Sequence, residues 1–86
     1  MEQVNQNVVG DQIRRLRAQR GMTQQLLSTR CIRLRCDLSR GTIAKIEAGI
    51  RRVTDLELLV IARILRVDML DLFPKPVVRR VFGRGN

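Results

Sequence analysis

Histidine, tryptophan and tyrosine are missing from this chain of 86 residues, and its aromatic side chains are two phenylalanines. Without histidine, a nucleophile–base pair or a glycine-rich phosphate loop, the sequence offers no set of groups for acid–base or nucleophilic catalysis. We therefore expect no enzymatic activity and no cofactor. The shortage of aromatic rings also argues against single-stranded nucleic acids as ligands, because base stacking needs ring platforms.

Cysteine is also scarce. Cys31 and Cys36 are separated by four residues, and without further cysteine or any histidine they do not complete a four-ligand zinc site. Cys31 falls at a core position of a predicted helix, which favours the role of a small buried hydrophobe over that of a redox switch. Hydrophobic runs of membrane-spanning length and a signal peptide are both absent, so we expect a cytoplasmic protein with no membrane partner.

Positive charge, in contrast, is in excess. The chain carries 17 basic against 8 acidic residues, a formal net charge of +9 and a pI near 11.6. All the basic residues except Lys45 and Lys75 are arginine, whose planar fork suits phosphate groups and guanine. This charge predicts a nucleic-acid footprint. The alternative is a cationic surface that only keeps the protein in solution.

Hydrophobic spacing predicts an all-α fold, a compact bundle of five short helices in one domain. The first helix is expected over residues 8–20, with Asn7 as its cap and Gly21 at its end. The second begins after Thr23 and ends near residue 34. Its predicted buried stripe consists of Leu27, Cys31 and Leu34.

The third helix is expected to begin at the Ser39 cap and to end at Gly49, with Ile43 and Ile46 along its buried edge. Gly41, near its start, is expected to let another backbone come close.

The fourth helix has the clearest start, because Thr54 and Glu57 form a capping box. Val53 and Leu58 have the spacing of a hydrophobic staple around it. The predicted core positions of this helix are Leu58, Ile61, Ala62 and Leu65. Asp68 is expected to cap a short fifth helix, Met69 to Phe73.

The two ends of the chain are predicted to lie outside the folded domain, residues 8–73. Residues 1–7 are polar and read as a flexible N-terminus. Pro74 and Pro76 are expected to stop helix formation, which leaves residues 74–86 as a basic tail. The alternative for the tail is an edge strand over residues 77–82.

Four groups of residues in this order resemble the helix-turn-helix domains of phage Cro and repressor proteins, the Xre-like family. They are residues 13–17, the run Arg20-Gly21-Met22-Thr23-Gln24, residues 39–49 and residues 56–73. The resemblance covers about residues 9–73 and implies a lambda-repressor-like fold. The segment from Thr23 to Glu47 is about five residues longer than the usual family pattern, with the additional residues around 32–37. Arg35 then stands where the family often has glycine.

The resemblance implies that the third helix, around residues 39–48, lies in the DNA major groove. Arg40, Gly41 and Lys45 take base-reading roles, with Arg40 the strongest candidate, and Ala44 offers a methyl contact. Gln24, the Thr23 cap, Arg51 and Arg52 are expected at phosphates, and Thr42 either reaches a phosphate or serves only in the first turn. The full set of candidate DNA-binding residues is Thr23, Gln24, Ser39, Arg40, Gly41, Thr42, Ala44, Lys45, Arg51 and Arg52.

The resemblance also pairs Glu47 with Arg17, as a structural ion pair that orients the third helix. Three further arginines in the lengthened connection extend the DNA footprint or only solvate that connection, and the sequence leaves both roles open. They are Arg30, Arg33 and Arg35.

These expectations combine into one leading function, a bacterial or phage-encoded transcriptional repressor that binds double-stranded DNA in a sequence-specific manner. One helix reads only a few base pairs, so we expect a homodimer on an inverted repeat. The predicted dimer surface comprises Leu70, Leu72, Phe73 and Val77. The alternative is an antitoxin-like or adaptor module that holds a protein partner, with DNA binding secondary.

Overall fold

The computed structural model describes residues 5–83, and every regular element in that range is helical. Four α-helices come first: α1 (Gly10–Gln19), α2 (Gln24–Arg33), α3 (Arg40–Glu47) and α4 (Asp55–Leu65). A short 3-10 helix (Met69–Leu72) and α5 (Lys75–Phe82) follow. The predicted all-α bundle of five helices is confirmed. None of the helices in the described range is long and apolar enough to cross a membrane.

Hydroxyl side chains start three of these helices, as the sequence predicts. The Thr23 side chain accepts a hydrogen bond from the Leu26 amide, and the Ser39 side chain accepts one from the Thr42 amide. At α4 the capping box is complete, with the Thr54 and Glu57 side chains each accepting from the other residue's backbone N–H. Each cap satisfies an amide that has no partner inside its own helix.

Left-handed residues end the helices. Gly21 and Gly49 have φ values of 69° and 79°, and after each of them the chain folds back onto the last turn of α1 and α3. Arg35 takes the same role after α2 with φ 61°, which the sequence comparison with the family pattern anticipates. The Cys36 amide then donates to the Cys31 carbonyl (3.0 Å) and closes a Schellman motif.

The core lies where α1, α2, α3 and α4 meet, with the 3-10 helix covering one side. Aliphatic side chains fill most of it. Ten side chains are almost without solvent contact, eight of them aliphatic: Ile13, Leu27, Ser28, Cys31, Leu38, Ile43, Ile46, Ile61, Leu65 and Leu72. The prediction for α2 is partly wrong, because Leu34 lies in the turn after the helix and is exposed.

Both cysteines are free and buried. Burial raises the pKa of the Cys31 thiol to about 12 and also raises the pKa of Cys36. A thiol that keeps its proton is a poor nucleophile and is oxidised slowly. This environment favours the packing role of Cys31 that the sequence suggests.

The close backbone approach expected at Gly41 occurs at a different glycine. A Cβ at Gly41 would meet only the Ser39 hydroxyl, at 3.9 Å. A Cβ at Gly10 would lie 2.0 Å from the Ile46 carbonyl oxygen. The prediction for Gly41 is therefore wrong, and the tight contact joins the first turn of α1 to the end of α3.

The two ends of the chain differ from their predictions. Within the expected flexible N-terminus, the Gln6 amide donates to the Gly49 carbonyl (2.7 Å), and the Asn7 side chain accepts from the Gly10 amide (2.8 Å). Val9, and not the predicted Asn7, occupies the N-cap position of α1. Residues 75–82 of the expected tail form α5, neither an extended arm nor a strand. Pro74 and Pro76 precede or begin this helix, where a missing N–H has no cost. Residues 1–4 and 84–86 lie outside the described part of the chain.

Candidate nucleic-acid interface

The outer face of α3 is the centre of the candidate interface. Ile43, Ile46 and Glu47 are buried on its inner face, whereas Arg40, Gly41, Ala44 and Lys45 follow one another around its outer face. Arg40, Gly41 and Lys45 are exposed and Ala44 is half-buried. The helix therefore presents two cations separated by small residues that leave its backbone approachable.

Two predicted residues on this side contribute mainly to the helix itself. The Ser39 hydroxyl accepts from the Thr42 amide (3.2 Å) and lies 3.0 Å from the Thr42 hydroxyl. Both hydroxyls thus hold the first turn of α3. Each still has hydrogen-bonding capacity for a phosphate oxygen.

A buried ion pair fixes the other end of α3. Arg17 Nε and Nη2 donate to the two Glu47 oxygens at 2.6 and 3.0 Å, and the Glu47 side chain is only 3% exposed. Arg17 also donates to the Met22 carbonyl (2.7 Å). The pair implied by the family resemblance is therefore present. Arg17 also neutralises the charge of Glu47, an acid that α3 itself carries.

Gln24 completes this cluster in a way that the sequence does not reveal. Its Nε2 donates to Glu47 Oε1 at 3.0 Å, so one amide hydrogen joins the start of α2 to the end of α3. The amide carries a second hydrogen that is available to a phosphate. Thr23 is exposed at the same end of α2, where free backbone N–H groups and the helix dipole suit an anion.

The two arginines after α3 are not equivalent. Arg51 Nη1 and Nη2 donate to the two Glu57 oxygens at 2.8 and 3.1 Å, and Nη1 also donates to the Arg52 carbonyl. Hydrogen bonding by Glu57 raises the pKa of Arg51, and hydrogen bonding by Arg51 lowers the pKa of Glu57. Arg52 is exposed, and within residues 5–83 its side chain has one long contact, of 3.5 Å, with Gln6 Oε1. The equal phosphate roles predicted for this pair are not supported by these contacts.

The arginines of the lengthened connection point to solvent. Arg30 and Arg33 are exposed on the last turns of α2, and Arg35 is exposed in the turn that follows. Exposed Asp37 lies between this cluster and the start of α3. Within residues 5–83 there is no group of three or more His, Cys, Asp or Glu side chains that could hold a metal ion.

Sequence reasoning missed the residues that connect the elements of this interface. The contact of Gln24 with Glu47 spans 23 positions, and Asn7 reaches Ile46 and Arg51 across 39 and 44 positions. The sequence signals a cap at Asn7. It carries no signal for the second set of partners, since they depend on how α1 crosses α3.

The comparisons with known proteins agree with this geometry. The helix-turn-helix family model matches residues 13–72 of the chain. Among solved structures, the crystal structure of the DNA-binding domain of BldD aligns with a TM-score of 0.66 and 22% sequence identity, and the alignment covers 86% of this chain and 100% of that one. At this identity the likeness shows the fold. No curated protein matches the chain.

The family match extends from within α1 to the end of the 3-10 helix and so contains both helices that build the candidate interface. The chain therefore belongs to the helix-turn-helix family, in its Xre/Cro-like form.

Proposed function

We propose that this protein is a transcriptional regulator that binds double-stranded DNA and reads base sequence in the major groove with α3. The observation that carries the proposal is the outer face of α3, with exposed Arg40 and Lys45 on a helix whose inner face is anchored by Ile43, Ile46 and the Glu47 ion pair. Family membership and the likeness to a DNA-binding domain support it.

Arg40 and Lys45 are the proposed base readers. An arginine that donates both arms of its fork to guanine is the commonest specific contact in the major groove, worth ~1–3 kcal/mol of discrimination. Arg40 is also poorly placed for helix stability alone, since a cation at a helix N-terminus opposes the dipole. Gly41 and Ala44 let the α3 backbone approach the bases, and the Ala44 methyl suits a thymine methyl.

Phosphate contacts flank this helix in the proposal. The N-terminus of α2, with Thr23 and the second amide hydrogen of Gln24, faces one backbone position. Arg52, and not the paired Arg51, supplies the cation from the loop after α3. Ser39 and Thr42 complete the contacts at the start of α3. The regulator acts as a repressor, since a protein that occupies an operator blocks transcription without any further activity.

Dimer formation is part of this proposal, because one α3 helix covers only a few base pairs. The proposed surface is the apolar side of α5 together with the exposed Leu70. These residues border an apolar groove of about 260 Å³ that Val8 and Phe73 also line. The sequence-based surface needs one correction, because Leu72 is fully buried in the core.

The experiment that tests the proposal is selection of bound duplexes from a random library at near-physiological salt. Enrichment of an inverted repeat is the expected result, and the half-site spacing would give the separation of the two α3 helices. Arg40→Ala should relax the selected sequence, whereas Arg63→Ala, the loss of an exposed cation from α4, should not. Binding without any enrichment would contradict sequence-specific regulation.

The exposed apolar groove along α5 favours one second candidate, an antitoxin-like or adaptor module that holds a protein partner. Such a partner would bind with an affinity that changes little with salt, because apolar contacts are not screened as phosphate contacts are. If the selection experiment enriched no DNA sequence, this function would become the leading proposal.

A further inference from the structure

The side chain of Asn7 forms hydrogen bonds in two directions. Its Oδ1 accepts from the Val9 and Gly10 amides at 3.1 and 2.8 Å, at the residues with which α1 begins. Its Nδ2 donates to the Ile46 carbonyl (3.1 Å) and to the Arg51 carbonyl (2.7 Å). One short side chain thus joins three elements: the start of α1, the end of α3 and the loop after α3.

The backbone of the residues around Asn7 also lies close to the end of α3. A Cβ on Gly10 would lie 2.0 Å from the Ile46 oxygen, which a real structure does not allow without a shift of backbone. The Gln6 amide donates to the Gly49 carbonyl at 2.7 Å. The last turn of α3 therefore rests directly on backbone and amide groups of residues 6–10.

The two carbonyls that Asn7 contacts belong to two parts of the candidate interface, the helix α3 and the loop that follows it. Ile46 is the last buried apolar side chain of α3, and Arg51 precedes the exposed Arg52 in the following loop. Arg17 holds Glu47 and the Met22 carbonyl, and Gln6 contacts Gly49 and Arg52 in the loop. The Asn7 amide donates both to α3 and to this loop, and so links the position of the helix to that of the loop.

We propose that Asn7 and Gly10 are positioning residues for sequence recognition. Both residues act on the end of α3, and Asn7 also acts on the Arg51 carbonyl, so together they set the position of α3 relative to the loop that carries Arg52. When that loop lies on a phosphate, this position determines how deeply α3 enters the major groove. This inference rests on the proposed DNA-binding function, although its structural part can be measured without DNA.

Asn7→Ser separates the two roles of the side chain. Serine, like asparagine, accepts hydrogen bonds from nearby backbone amides, so the contacts with the Val9 and Gly10 amides should persist. The shorter side chain has no amide N–H group and does not reach the Ile46 and Arg51 carbonyls. Gln19→Ser removes an amide side chain from an exposed position on α1 and is the control.

The measurement is the ratio of affinities for the selected duplex and for a duplex with one changed base pair under α3. We expect Asn7→Ser to lower this ratio by roughly tenfold, since a misplaced reader loses most of one base contact. Affinity for unrelated duplex should change by no more than about twofold, because phosphate contacts dominate it. Gln19→Ser should leave both values as they are. An unchanged ratio for fully folded Asn7→Ser would overturn the proposal.

Backbone amide chemical shifts of the free protein, measured by NMR, provide a second test of the proposal. In Asn7→Ser we expect changes in chemical shift at residues 44–52 as well as at 7–10. In Gly10→Ala we expect larger changes at the end of α3. Chemical-shift changes confined to residues 5–12 would show a local contact at the start of α1 and would overturn the positioning role. If the wild-type protein selects no sequence, the proposed function fails, and the shifts alone decide whether Asn7 holds α3.

Discussion

Single residues in this protein have two partners where the sequence suggests one. The Arg17–Glu47 pair follows from the family resemblance, and its short bidentate geometry in a buried site is what that resemblance implies. The hydrogen bond from Gln24 to the same carboxylate does not follow from it. From the sequence, a glutamine at the start of a helix is expected to be exposed to solvent. Only the crossing of α2 and α3 brings Glu47 within its reach.

The loop after α3 provides the clearest test at this scale. Arg52→Ala should lower the slope of log affinity against log salt by about 1, the value for one lost phosphate contact. Arg51→Ala should leave that slope almost unchanged, because Glu57 already holds the guanidinium. Equilibrium binding to one duplex over a range of salt concentrations measures both. Equal slopes for the wild-type protein and Arg52→Ala would rule out a phosphate contact by Arg52.

Glu57 should make stability depend on acid pH. Arg51 lowers the pKa of this carboxyl in the folded state below its usual value of 4.5. Its contribution to stability is therefore complete above the unfolded pKa and is lost as pH falls through the lower folded value. In Glu57→Gln, which can still accept in the capping box, the free energy of unfolding should fall less between about pH 6 and pH 3.

Urea unfolding at each pH measures this difference. Asp55→Asn removes an exposed acid from the same helical turn and serves as the control. An identical acid dependence in the wild-type protein and Glu57→Gln would show that the Arg51–Glu57 pair adds nothing to stability.

Helix ends explain why some elements of this fold are predictable and others are not. Capping signals are local, so Thr23, Ser39 and the Thr54 capping box locate the starts of α2, α3 and α4 from sequence alone. The helix α5 was missed because Pro74 and Pro76 suggested an end to helical structure. Both lie at or before the first turn, where proline fits a helix that has only just begun.

The end of α2 allows a stabilising substitution. Arg35 has a φ of 61°, a conformation that disfavours a side chain and is natural for glycine. Arg35→Gly should raise the free energy of unfolding by about 1 kcal/mol. Arg30→Gly, inside α2, removes the same charge from the same cluster and should lower stability by about 1 kcal/mol. Chemical denaturation measures both. A destabilised Arg35→Gly would mean that the arginine side chain has a contact worth more than its strain.

At the scale of the whole molecule, the described chain consists of a packed bundle and one loosely attached helix. The bundle of α1 to α4 surrounds the buried cluster, whereas no residue of α5 is buried anywhere along Lys75–Phe82. An amphipathic helix without a buried face gains little from packing and is marginal on its own at this length.

We expect amide hydrogen exchange to separate these two parts. At low protein concentration the α5 amides should exchange fastest among the helices, and the amides of α1, α2 and α4 should approach the protection of global unfolding. If α5 forms the dimer surface, its protection should rise with protein concentration while that of α4 stays constant. Core-like protection of α5 in a dilute monomer would contradict this division.

The sequence alone determined the class of this protein, because the properties behind it are local or additive. Charge sums over residues, helix caps act within four positions, and apolar spacing fixes which side of each helix is buried. The all-α class and the inner face of α3 follow from these properties, and the family resemblance adds the helix-turn-helix fold and the candidate DNA-facing residues. Tertiary structure decided which of the candidates already have a partner within the protein. The pairing of Arg51 with Glu57, of Gln24 with Glu47 and of Asn7 with α3 depends on how helices cross, and distances set by crossing angles are not encoded in any local pattern.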